Sequence, residues 1–158
     1  MPSVILVDTS IFLNVLNVAG FNQNANQLRR ELENFIVNDD YLLLPIAAIV
    51  ETGNHVAHLS DGGNRRRCAE TFVEQVKLAL SGEAPWTPTS VPDAERLADW
   101  LTEFPEHAMR EISLGDLTII KEWEAACERH PAMRVRIWSL DAQLQGYDRR
   151  RIPSWQRR

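Results

Sequence analysis

The segment Val4-Ile5-Leu6-Val7 is apolar at every position. Such a run reads as a strand buried on both faces, the kind a parallel sheet contains. Asp8 ends it, and Thr9 and Ser10 are helix-capping residue types, so the strand is expected to turn into a helix over residues 10–18. Asn22 to Asn26 reads as a loop, residues 27–37 as a helix, and Asn38-Asp39-Asp40 as a turn. Tyr41–Leu44 repeats the strand pattern and leads into a helix ending near residue 59. The Asp61-Gly62-Gly63-Asn64 segment is expected to break that helix, with a further helix over 71–80 that extends back toward Arg66. Pro85, Pro88 and Pro92 mark an irregular connection in which Trp86-Thr87 forms a short strand. Ser90-Val91-Pro92-Asp93 has the form of a helix start with an acid at the third position, and that helix runs to about residue 103. Leu117, Ile120, Trp123 and Cys127 share one helical face, and Pro131 ends that helix. Val135–Leu140 is the last clear strand.

Strands alternating with helices through short loops indicate an α/β fold. In such sheets, ligands bind just beyond the carboxyl ends of the strands. Acids recur at that edge. Asp8 follows the first strand, Glu51 lies in the helix after the second, Asp116 opens the amphipathic helix, and Asp141 follows the last strand. Taken singly, each has an ordinary structural explanation. Asp8 and Asp141 suit helix caps, Asp116 the capping box begun by Ser113, and Glu51 a helix surface. Four acids returning to one crevice favour a shared site. Carboxylates without Cys or His select a hard cation, Mg²⁺ or Mn²⁺. Thr9, Ser10 and Ser139 are positioned to support the acids through their hydroxyls. His55, four residues after Glu51, shares its helical face but has the stronger claim as a surface residue.

At 158 residues the chain fits one domain and buries a substantial core. No signal peptide is visible, and the uncharged stretch from Thr9 to Leu28 carries too many Asn and Gln residues to cross a membrane. Cys68 and Cys127 lie far apart and suit reduced thiols in a cytoplasmic protein. A net charge of −5 opposes nucleic-acid binding, but the basic charge is nearly all Arg and is clustered. Arg65-Arg66-Arg67 is one cluster. Residues 149–158, with Arg149, Arg150, Arg151, Arg157 and Arg158, form the other, a candidate phosphate-binding tail or a solvated one. Trp155 is the aromatic residue beside that charge.

Asp8 in Val-Asp-Thr-Ser, Glu51 in Ile-Val-Glu-Thr, Asp116 in Leu-Gly-Asp-Leu and Asp141 in Ser-Leu-Asp, in this order, resemble the acid pattern of the PIN-domain nucleases. The chain is most similar to the VapC-like ribonuclease toxins of toxin–antitoxin pairs. Ser139 stands at a hydroxyl position that is more often Thr in that family. The resemblance extends from Ser3 to about Asp148 and is poorest over residues 61–107. It implies a three-layer α/β/α domain over residues 1–148 with a central, mainly parallel sheet, followed by the Arg-rich tail. It also implies divalent-metal-dependent cleavage of RNA, a homodimer and a protein antitoxin. The other expectations from the same residues are a non-catalytic PIN-like scaffold that binds RNA or protein, and a housekeeping or defence nuclease without an antitoxin. A haloacid-dehalogenase-type phosphotransferase is disfavoured because Ser10 stands where that chemistry wants a second Asp. The paired early acids and late Lys of a receiver domain are missing, as is any Walker loop.

Overall fold

The structure is a computed structural model that describes residues 1–156. Five strands form one sheet: β1 (Val4–Val7), β2 (Tyr41–Leu44), β3 (Trp86–Pro88), β4 (Val135–Trp138) and β5 (Asp148–Arg149). Their order is β3-β2-β1-β4-β5, with all neighbours parallel except β5, which runs antiparallel to β4. The helices are α1 (Thr9–Val15), α2 (Ala25–Val37), α3 (Ile46–Ala57), α4 (Gly62–Leu80), α5 (Ala94–Thr102), α6 (Phe104–Met109), α7 (Leu114–Arg129) and α8 (Ala142–Gln145). The three-layer α/β/α expectation holds.

Alternation along β1 builds the two cores, because successive side chains point to opposite faces of a sheet. Ile5 and Val7 join Phe12, Leu28, Leu44, Trp86 and Trp138 on one side. Val4 and Leu6 join Ile119, Ile120, Val135, Ile137 and Leu144 on the other. All four β1 residues are almost fully buried, which explains why the strand is an unbroken apolar run. Trp86, Trp100 and Trp138 are buried as core residues, whereas Trp155 is exposed.

Several local expectations are corrected. The expected break after the Glu51 helix is present, but it falls over residues 58–61, and Gly62 and Gly63 already form the first turn of α4. The Asp61 carboxylate accepts from the Asn64 amide at 2.7 Å, and a cap of about 1 kcal/mol offsets much of the cost of glycine there. Helix α5 is capped by Asp93, which accepts from the Arg96 amide at 2.8 Å, and Ser90 lies outside it. The short helix α6 is not evident from apolar spacing. β4 stops at Trp138, leaving Ser139 and Leu140 to turn into the site.

Arg149 does not belong to a tail. It lies in β5, and its guanidinium donates to the carbonyls of Cys127 (2.7 Å), His130 (2.5 Å) and Met133 (2.7 Å). Its charge is thus committed to holding the end of α7 against the sheet. Beside it, Arg134 grips Asp148 through two bonds at 2.9 and 2.6 Å, which hold the Asp148 carboxyl below its ordinary range. Arg150 and Arg151 are exposed, and Arg157 and Arg158 lie outside the described residues. Among the described residues, no helix is long and apolar enough to cross a membrane.

Candidate active site

The order of strands reverses at β1, whose neighbours β2 and β4 lead away in opposite directions. A sheet opens a crevice at such a switch point, beyond the carboxyl ends of the strands. Register sets its contents. Val7 pairs with Trp138, so Asp8 and Ser139 emerge side by side, and the Asp8 amide donates to the Trp138 carbonyl at 3.1 Å.

Asp8 is only 3% exposed. It stands at the N-cap position of α1, yet its side chain caps nothing there. Oδ2 instead accepts from Ser139 Oγ at 2.6 Å and from Ser10 Oγ at 2.9 Å. The two hydroxyls also lie 3.4 Å apart, but each has one proton and spends it on Asp8, so that approach is a contact rather than a bond. Their lone pairs accept from the backbone: Ser10 Oγ from the Leu140 amide at 3.0 Å, and Ser139 Oγ from the Asp141 amide at 2.9 Å. Ser10 and Ser139 thus tie the β1 and β4 turns together around one carboxylate. The other oxygen, Asp8 Oδ1, is buried without a hydrogen-bond partner. An unpaired buried carboxylate oxygen is costly, and its position is set by the turn rather than by any bond of its own.

Glu51 reaches the crevice from the second turn of α3, where Thr9 Oγ1 donates to Oε2 at 3.0 Å. Asp116 is in the first turn of α7, whose start is fixed by the Ser113 hydroxyl accepting the Asp116 amide at 3.1 Å. Asp141 caps α8, with Oδ1 accepting from the Gln143 amide at 2.9 Å. The capping explanations of Asp141 and of Ser113 are therefore correct and do not exclude a shared site. The electrostatics of Asp116 reflect the other three acids. Its carboxyl is pushed up to about 6, first by burial and then by the charges of Asp8, Glu51 and Asp141, with partial relief from Ser113.

Gly115 was not singled out by the sequence. A Cβ there would sit on Glu51 Oε1, so only glycine lets the Glu51 carboxylate lie against α7. The signal was available: glycine inside a helix costs about 1 kcal/mol relative to alanine, which invites a search for what occupies the freed space. His55 does not contribute in a comparable way. It is exposed and packs on the Phe21 ring at 4.9 Å.

The donor set fits a hard divalent cation, since it offers carboxylate oxygens, one of them buried and unpaired. Among the described residues no three His, Cys, Asp or Glu side chains form a ready chelating cluster. The acids are close enough to repel without converging on a single point. Mg²⁺ is commonly held by one or two carboxylates and several waters, a demand that looser arrangement meets.

Repulsion at the site makes a stability prediction. The folded-state pKa of Asp116 lies above its unfolded value, so its contribution favours folding below about pH 4 and is lost as pH rises through about 6. In the absence of metal, Asp116→Asn should match the parent in thermal stability near pH 4 and exceed it at pH 7.5. Because the group is partly solvated, the gain is discounted to about 1 kcal/mol, or roughly 2–4 °C. Equal melting temperatures at both pH values would remove the case for a repulsive cluster.

The sheet is mainly parallel, lies between helical layers and carries acids at its switch point. Solved structures share this fold. It is similar to VapC20 of Mycobacterium tuberculosis, described as a sarcin-ricin loop cleaving toxin, with 16% identity, a TM-score of 0.59 and coverage of 90% of this chain and 93% of that one. It is also similar to FitAcB of Neisseria gonorrhoeae, with 21% identity, a TM-score of 0.55 and coverage of 90% and 91%. A third similar structure is FitAB bound to the IR36 DNA fragment, with 19% identity, a TM-score of 0.55 and coverage of 90% and 89%. The shared feature at these identities is the fold. No protein-family model matches the chain, and no curated protein matches it.

Proposed function

We propose that this chain is a divalent-metal-dependent endoribonuclease and the toxin of a toxin–antitoxin pair. The observation that supports the catalytic reading is the buried, unpaired Asp8 Oδ1 at the β1–β4 switch point, with Asp116 near enough to Asp8, Glu51 and Asp141 to feel their charges. A PIN-type fold shared with an RNA-cleaving toxin supports the substrate class.

Asp8 and Asp116 are the principal ligands for Mg²⁺ or Mn²⁺, with Glu51 and Asp141 completing the site directly or through water. The bound cation would supply an activated water and stabilise charge on the phosphate. The protein's own part is positional. Ser10 and Ser139 hold Asp8 in one rotamer, so its free oxygen has a fixed direction. Thr9 orients Glu51 in the same way. Asp141, anchored by the Gln143 amide, sets the far wall.

The protein partner is proposed to be an antitoxin that presents basic residues to this acidic crevice, where opposite charge steers association. A homodimer and a cytoplasmic location belong to the same reading. Arg150 and Arg151, exposed beside the sheet, are available to phosphate.

The test is cleavage of a mixed RNA pool by purified protein. Addition of Mg²⁺ or Mn²⁺ to metal-free protein should start cleavage, and excess chelator should stop it. Undiminished cleavage in chelator would remove the metal from the mechanism, and an intact pool under every metal condition would leave a binding scaffold as the better reading.

A further inference from the structure

We propose that a cavity between α5 and α7 holds a guanine base of single-stranded RNA, with the Glu122 carboxylate reading its Watson–Crick edge. The inference deepens the ribonuclease reading and rests on it for the identity of the polymer.

The cavity has a volume of about 250 Å³. That is below the ~300–1,000 Å³ of sites for drug-sized molecules and suits a single ring system. Trp100 forms one wall. It is buried, while every other residue of α5 is exposed, so the helix is seated on this one side chain. The Arg96 guanidinium stacks over the Trp100 ring at 5.7 Å, and Arg129 lies at the rim from α7. A guanidinium plane backed by an aromatic ring is a surface on which an unstacked base can stack, with basic charge nearby for its phosphate.

Glu122 supplies the discriminating group. Its Oε1 accepts from Thr89 Oγ1 at 2.7 Å, whereas Oε2 is sealed from water and has no donor. The last torsion of a glutamate is broad, so a ligand in the cavity can turn the whole carboxylate toward itself, exchanging the Thr89 bond for its own donors. Burial holds the carboxyl above its ordinary range, against the opposing pull of the Thr89 hydroxyl, Arg129 and Arg96. A carboxylate accepts only, and guanine presents two adjacent N–H donors on one edge. Adenine and cytosine present one donor beside an acceptor, which would face the second carboxylate oxygen unfavourably.

Position links this cavity to the proposed chemistry. A neighbouring cavity of about 360 Å³ is lined by Glu51, Gly115 and Thr118, and the two share Pro92, Trp100 and Glu122. Gly115, Thr118 and Glu122 lie on one face of α7. Six residues separate Asp116 from Glu122, about 9 Å along the helix axis. Asp116 and Glu122 point from different faces of α7, so it is the shared lining of the two cavities that connects a base at Glu122 to a phosphate near Glu51.

Calorimetric titration of the full-length protein in excess chelator tests the site without cleavage. The probes are 5′-GMP, 5′-IMP, 5′-AMP and 5′-CMP. GMP should bind about tenfold or more tightly than AMP or CMP, with IMP, which lacks the exocyclic amine, in between. Glu122→Gln should erase the difference between GMP and AMP, whereas Trp100→Phe should keep it. Equal affinities for the four nucleotides, or no binding of any, would overturn the proposal whether or not the protein cleaves RNA. Should the Gln variant fail to fold, the GMP–IMP–AMP order of the parent protein decides. Selective GMP binding by a protein that never cuts RNA would uphold the base site and reject the nuclease reading, so the two failures are distinguishable.

Discussion

Asp8→Asn is expected to lower metal-dependent RNA cleavage by about a thousandfold or more, the loss associated with several kcal/mol of metal-borne stabilisation. The substitution is nearly isosteric. Its amide oxygen can still accept from Ser10 and Ser139, so the bonds that join the β1 and β4 turns survive. What changes is the unpaired Oδ1, which becomes an NH₂ group with no lone pair for a cation. A negative charge also leaves the neighbourhood of Asp116, so the melting temperature of the metal-free protein should be no lower than the parent's. In cells, expression of the parent should arrest bacterial growth and expression of Asp8→Asn should not. A folded Asp8→Asn protein that cleaves at the parental rate would sink the assignment of Asp8. Unimpeded growth with abundant, nuclease-active parent would reject the toxin role and favour a housekeeping or defence nuclease.

Gly115→Ala separates the site from the fold. Alanine normally stabilises a helix relative to glycine by about 1 kcal/mol. Here the added Cβ would sit on Glu51 Oε1 and lie 2.8 Å from Cδ. The obstructing atoms are the end of a flexible side chain, so Glu51 can swing aside at little cost to stability, losing the Thr9 hydrogen bond as it goes. The expected result is a melting temperature within a few degrees of the parent and cleavage reduced about tenfold to a hundredfold, the scale of an ångström-sized displacement of a positioned group. Full activity in a stable variant would show that Glu51 is not required where it stands. Severe unfolding would instead make Gly115 a packing residue of the α3–α7 contact.

β1 was legible because burial on both faces leaves it no polar position, and β2 and β4 because apolar residues dominate them, whereas the polar β5 was not foreseen. Val4–Val7 and Tyr41–Leu44 emerge at the expected residues. Asp8, Asp116 and Asp141 were legible because each marks a strand end or a helix start, where local chemistry punctuates the chain. Glu51 needed the topological argument, since nothing local separates it from a surface glutamate. Residues 61–107 were read least well. Caps there compete with glycine and proline over fractions of a kcal/mol, so Asp61 and Asp93, rather than the glycine pair and Ser90, decided where α4 and α5 begin.

Other features depend on partners distant in sequence. Arg149 looked like the first residue of a basic tail, and only antiparallel pairing with β4 turned its guanidinium onto three carbonyls. Ser10 and Ser139 are 129 positions apart, and the Val7–Trp138 register is what places both hydroxyls on one oxygen of Asp8. Gly115 and Glu122 acquire their significance from α3, Thr89 and Trp100. The sequence alone thus determined the α/β class and the principal strands, and placed acids at strand ends and helix starts, because these follow from periodicity and local capping. The tertiary structure decided which oxygen is paired, which is free and what surrounds it, because those contacts exist only after distant segments are brought together.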